Sequence, residues 1–190
     1  MADCGRDGVI RVEGVSMLPT FPPDTRILVD FSHCTPRPGD VLLFRQAGSL
    51  VVHRFLAEVR SRRAGECLRT RGDGVSALDS PLFPKDVVGK VTAFRRSGTW
   101  WSLETGPARA WGRLVALHDH FWAVMVVAGS RVDRFFSRIG LPRWTGRLAA
   151  SLDRWALRWA DRLLFRLFHT RIVSPRSSEV DLQVDSSDAA

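Results

Sequence analysis

Ser16 stands in the stretch GVSMLPTF, residues 14–21, between Gly14, Met17 and Pro19. A serine hydroxyl is a weak nucleophile until a neighbouring base takes its proton, so the chemistry in question is acyl transfer to an activated serine. Few side chains fit the role of base. Of the 28 basic residues only Lys85 and Lys90 are lysines, and Lys90 falls in DVVGKV, whose alternation reads as a strand with a solvent-facing charge. The histidines are His33, His53, His118, His120 and His169. In LVVHRFLAEV the alternation places Val51, His53, Phe55, Ala57 and Val59 on one strand face. An imidazole on an apolar face is desolvated, which favours its neutral, proton-accepting form. The same position suits a structural core histidine with a hydrogen-bond partner. A third group is needed to hold the ring in one tautomer, and RGDGVSALDS offers Asp73 and Asp79, either of which also suits a turn or a cap.

The first hundred residues predict the strands that would position these groups. TRILVD (25–30), DVLLFR (40–45), LVVHRFLAEVR (50–60), ECLRTR (66–71) and DVVGKVTAFRR (86–96) are short apolar or alternating runs. FPPD, TPRPGD, QAGS, RAGE and GDGVSALDSPLFPK separate them, rich in residues that break strands and shape turns. After Trp100 the pattern changes. All seven tryptophans lie between Trp100 and Trp159. In residues 143–168, Trp144, Leu148, Leu152, Trp155, Trp159 and Leu163 recur at helical spacing beside a row of arginines. The expected class is therefore mainly β with a C-terminal α-helical extension. The expected divisions are a β domain over 1–98, a Trp/Arg-rich helical region over 99–173 and a disordered tail over 174–190.

Composition narrows the function classes. The 190 residues are 45% hydrophobic and 25% charged, which excludes a fibrous or wholly disordered chain. The net charge of +8 suits nucleic acid, anionic lipid or an acidic partner without choosing among them. Three cysteines, Cys4, Cys34 and Cys67, have no C-x-x-C spacing, so they suggest neither a disulfide framework nor a zinc site. No cofactor or metal is expected. The N-terminal residues lack the apolar run of a secretory signal or anchor. The longest uncharged apolar stretch, FWAVMVVAG at 121–129, is well short of the roughly 20 residues that span a bilayer.

These residues resemble the type I signal peptidase family, and more closely its Ser-His branch typified by the endoplasmic-reticulum catalytic subunit. GVSMLPTF resembles that family's Ser-Met-x-Pro nucleophile box, RPGDVLLFR its next strand box, and VVHRF the box that carries lysine in most bacterial members and histidine in the ER-type branch. RTRGDGVSALDS followed by KDVVGKV resembles the Gly-Asp box and its strand. The four boxes occur in order over roughly residues 9–96. The resemblance implies Ser16 as nucleophile, His53 as general base and Asp79 as orienting acid, with Asp73 as a structural supporter or alternative third member. It also implies a twisted, mostly antiparallel β domain shared with LexA-type self-cleaving repressors. Four positions depart from the family pattern. Val15 stands where glycine is common, and Gly14 where some bacterial members have a serine that assists the oxyanion hole. Gly74 and Val75 stand where the ER-type branch usually has paired asparagines. The Ser16 backbone N–H remains as a nameable oxyanion donor.

The expected function is a serine endopeptidase that cleaves a precursor or signal-type peptide. The competing reading is a low-turnover regulatory or binding module of the same fold. The arginine-bordered apolar face over 143–168 suits an anionic membrane surface, or packing on the β domain. Nucleic acid is the less natural partner, because the tryptophans fall in the helical apolar row. The expected location is the cytoplasmic face of a membrane.

Overall fold

A computed structural model describes residues 7–32, 35–61, 65–75, 77–136, 167–172 and 178–184. The five expected strands form. They are β2 (Thr25–Asp30), β3 (Val41–Gln46), β4 (Ser49–Ser61), β5 (Gly65–Arg71) and β6 (Val87–Arg96), joined by an additional β1 (Asp7–Val12). Their order in the sheet is β5-β4-β3-β6-β2-β1, and every neighbouring pair is antiparallel. Branched and aromatic residues fill these strands, as a pleated and half-buried surface requires. The β3–β4 hairpin turns through Ala47 and Gly48, both at positive φ. Such a two-residue turn matches the natural twist of the flanking strands.

Alternation sends side chains from the same strands into two separate cores. Ile10, Val12, Ile27, Val29, Val41, Leu43, Val52, Val91 and Phe94 pack on one side with Met17 and Phe21. Leu42, Phe44, Phe55, Leu68 and Leu82 pack on the other. His53 lies opposite Leu42 in the β3–β4 register, and its ring meets Phe44 edge-on at 6.1 Å. Arg54, the next residue, pairs with Val41 and so faces the opposite layer. The strict alternation expected after His53 is broken by a bulge between Phe55 and Ala57, and Phe55 and Leu56 are both buried there.

Three segments differ from the expected divisions. The β domain does not stop at residue 98, because Ser97 and Gly98, both at positive φ, return the chain as a hairpin. Strand β7 (Thr99–Ser102) therefore pairs with β6. After α1 (Gly106–Phe136), β8 (Thr170–Ile172) pairs with β7. Within the tail expected to be disordered, β9 (Ser178–Val184) runs parallel to β1. Its sequence SEVDLQV alternates apolar and polar residues, and the free edge of β1 supplies the ladder that so short a strand needs. The helix expected over 143–168 falls outside the described residues across 143–166.

Helix α1 starts at Gly106-Pro107 and is tied to the sheet by charge and by close backbone contact. Glu104 pairs with Lys90 at 2.9 Å and also with Arg109. Gly39, at φ +101, meets the helix so closely that a Cβ there would sit 2.5 Å from the Gly112 carbonyl carbon. A Cβ on Gly112 would in turn sit 2.8 Å from the Gly39 carbonyl oxygen. Only a glycine at each position lets the helix and the turn touch backbone to backbone. Among the described residues no helix is long and apolar enough to cross a membrane.

Candidate active site

The nucleophile loop is held by apolar anchors on both sides of Ser16. Met17 and Phe21 are fully buried in the larger core, and Phe21 packs on Phe94 with ring centroids 5.1 Å apart. The Leu18 N–H donates to the Val15 carbonyl at 3.1 Å and the Phe21 N–H to the Met17 carbonyl at 2.9 Å, so the chain coils tightly around the serine. Met17 thus belongs to the core and does not line a cleft. Val15, by contrast, is 63% exposed beside Ser16.

Strand β4 carries His53 to this loop. Its Nε2 lies 2.9 Å from Ser16 Oγ, and both side chains are almost wholly buried. Its Nδ1 lies 2.7 Å from Asp79 Oδ2. A carboxylate accepts only, so Nδ1 carries the proton and Nε2 presents its lone pair to the serine hydroxyl. This is the tautomer a general base needs.

Asp79 reaches the ring because its segment folds back along β5. The Asp79 N–H donates to the Thr70 carbonyl at 3.1 Å, and Leu82 and Leu68 exchange two backbone hydrogen bonds at 2.7 and 3.0 Å. Burial of Leu82 beside Leu68, Phe44 and Phe55 pins that segment. The Thr70 hydroxyl donates to the same Asp79 oxygen at 2.7 Å, so the carboxylate is held from two directions. Thr70 is a site residue that sequence reasoning missed. Within ECLRTR it is one more polar residue of an alternating strand, and only the fold-back of Asp79 gives it a partner.

Asp73 is not brought to the imidazole, so it is not the alternative third member. The Arg54 Nε donates to its Oδ1 at 2.8 Å and Nη2 to its Oδ2 at 2.7 Å, a two-pronged pair with both side chains 3% exposed. Thr20 Oγ1 donates to Asp73 Oδ2 at 2.5 Å, and Arg54 Nη1 donates to the Gly39 carbonyl at 2.8 Å. One guanidinium thereby ties the nucleophile loop, the Gly-Asp turn and the turn before β3. Arg54 is a second residue the sequence reading passed over, although adjacency to His53 on an alternating strand places it on the opposite face.

The Gly-Asp turn also presses directly on the nucleophile. The Gly74 N–H donates to the Ser16 carbonyl at 2.7 Å. A Cβ on Gly72 would sit 2.6 Å from that carbonyl oxygen and 2.9 Å from His53 Nε2. Among the described residues no acceptor is bonded to the Ser16 backbone N–H, which leaves it able to meet a developing oxyanion. Within the same limit, no cluster of histidine, cysteine and carboxylate side chains has the geometry to hold a metal ion.

A mainly antiparallel β fold bearing a hydroxyl, an imidazole and a carboxylate in one hydrogen-bonded line defines a serine-peptidase-like class of protein. The Peptidase S24-like family model matches residues 2–63, which supports a place in the signal peptidase/LexA-like superfamily. That match takes in Ser16 and His53 and ends before Asp73 and Asp79. No curated protein and no solved structure matches the chain.

Proposed function

We propose that the chain is a serine endopeptidase of the signal peptidase type, with Ser16 as nucleophile, His53 as general base and Asp79 as the group that orients it. The observation that carries this reading is the continuous Ser16–His53–Asp79 line, with links of 2.9 and 2.7 Å. As a peptide carbonyl settles against Ser16, the hydroxyl oxygen attacks its carbon and His53 Nε2 takes the hydroxyl proton. The Ser16 N–H stabilises the charge that develops on the carbonyl oxygen. Collapse of the tetrahedral intermediate expels the amine, which leaves with the proton from Nε2. Water, deprotonated by the same nitrogen, then releases the acyl group and restores the serine. Asp79 and Thr70 hold the ring throughout, and the Asp79 charge favours the transient imidazolium.

The substrate class is an extended segment of a precursor or signal-type peptide. The exposed neighbourhood of Val15 suits a chain that approaches in extended form, and family resemblance adds a preference for small side chains beside the scissile bond. Incubation with a fluorophosphonate followed by peptide mapping tests the chemistry. Labelling at Ser16 in the wild type, and its loss in His53→Ala, is the expected result. A wild-type protein that remains unlabelled, or a His53→Ala protein labelled at the wild-type rate, overturns the reading.

The site would work beside an anionic membrane. What favours this is the exposed apolar row Leu114, Leu117 and Phe121, at 55%, 68% and 57% exposure, which lies on one face of α1 with Arg113 exposed beside it. Flotation with vesicles containing anionic lipid should fall in a Leu114→Asp/Leu117→Asp protein. Equal flotation of the two proteins rules this face out.

A further inference from the structure

Two arginines lie side by side under the active site. Arg54 and Arg71 are register partners across β4 and β5, and each is 2% exposed. Two neighbouring buried guanidinium groups repel one another unless each has its own carboxylate. Asp73 from the Gly-Asp turn serves Arg54. Arg71 is served from a different element, because Asp119 of α1 comes within 3.5 Å of its Nη2.

Asp119 has no exposed surface, and nothing in the peptidase chemistry above uses it. One of its oxygens faces Arg71 and, at 3.3 Å, His118 Nδ1, while the other is without a partner among the described residues. A helix that buries a half-satisfied carboxylate accepts a desolvation penalty that must be matched by what the charge does. Here the charge holds Arg71, and Arg71 does more than fill space. Its Nε donates to the Val75 carbonyl at 2.7 Å. The Val75 N–H donates back to the Gly72 carbonyl at 3.1 Å, which closes the turn, and the Gly74 N–H donates to the Ser16 carbonyl at 2.7 Å.

We infer that Asp119 is a positioning residue for the nucleophile: through Arg71 it holds the Gly72–Val75 turn, and the turn holds the Ser16 backbone against His53. This inference rests on the peptidase reading of Ser16. Helix α1 is on this account part of the catalytic apparatus, acting from behind the sheet. Without the Asp119 charge, Arg71 loses the carboxylate that faces it, and its grip on Val75 loosens. The Gly74 contact to Ser16 then slackens, and the 2.9 Å hydroxyl–imidazole distance is no longer maintained.

The test is the rate of fluorophosphonate labelling of Ser16 in the full chain, with the unfolding midpoint measured in parallel. In Asp119→Asn, which keeps the shape and removes the charge, the labelling rate at saturating probe should fall about tenfold while the half-saturating probe concentration stays unchanged. Arg71→Lys should show a similar loss, because a single ammonium cannot reach both Val75 and Asp119. The double variant should be no slower than the slower single variant, since both changes break one connection. A merely stabilising role predicts lower unfolding midpoints with unchanged labelling of the folded protein, and that outcome overturns the inference. Losses that multiply in the double variant overturn it too. Failure of the wild type to label at Ser16 instead overturns the peptidase reading.

Discussion

Arg54 and Asp73 form a buried two-pronged ion pair directly behind the Ser16–His53 contact, and Thr20 of the nucleophile loop donates to the same carboxylate. Removing one partner leaves an uncompensated buried charge, which costs about 3–5 kcal/mol. Asp73→Ala should lower unfolding free energy by about that amount in urea titration. A loss under about 1 kcal/mol would show that the pair is not carrying the loop.

Thr70 donates to the Asp79 oxygen that also accepts from His53. Thr70→Val preserves shape and removes one hydrogen bond to a charged group, worth about 1.5–3 kcal/mol. The expected result in steady-state peptide cleavage is a kcat lowered by about tenfold or more with KM little changed. A changed KM with constant kcat would place Thr70 in substrate binding instead.

Gly72 is required by proximity rather than by backbone conformation. The added methyl of Gly72→Ala would come within 2.6 Å of the Ser16 carbonyl oxygen and 2.9 Å of His53 Nε2. A displacement of about 1 Å at reacting groups costs on the order of a hundredfold in rate. Cleavage should therefore drop by about that factor while circular dichroism retains the β signature. Wild-type turnover in this variant would mean that the loop gives way harmlessly.

Glu104 and Asp119 impose opposite pH slopes on stability. Burial acts to raise the Glu104 carboxyl, but hydrogen bonds from Arg109 and Lys90 outweigh it and hold the group below its ordinary value. Its contribution is present above the ordinary glutamate range and disappears as pH falls through its folded-state pKa. Burial pushes the Asp119 carboxyl up against the pull of Arg71. Its contribution is present below the ordinary aspartate range and disappears as pH rises through its folded-state pKa. Urea unfolding from about pH 3 to about pH 7 should show the stability of wild type relative to Glu104→Gln growing with pH. Relative to Asp119→Asn it should decline. Slopes of the reverse sign would contradict the assigned environments.

The strands around the site were legible because their signals are local. TRILVD and LVVHRFLAEVR announce themselves by branched residues and alternation, and β2 and β4 form where those runs lie. Strand β9 was not legible, because SEVDLQV gains its ladder only from the edge of β1, far away in the chain. Composition there points to disorder, and the partner outweighs composition. The two loop aspartates show the same limit on a smaller scale, since Asp73 and Asp79 are of one residue type in one loop.

What the sequence by itself determined is the chemical inventory. It holds one serine in a tight Pro-containing turn, one histidine on an apolar strand face and two nearby aspartates, all within a succession of short strands. Periodicity and turn chemistry are short-range properties and can be read without knowing what packs on what. Only the tertiary structure decided which aspartate serves which partner: Asp79 goes to His53, and Asp73 to Arg54. Hydrogen bonds reach about 3 Å, whereas loop residues a few positions apart are separated by more than that, so the assignment waits on the fold-back along β5. The pairing of Asp119 with Arg71 waited on α1 in the same way, because no local pattern links a helix carboxylate to the end of a strand 48 positions earlier.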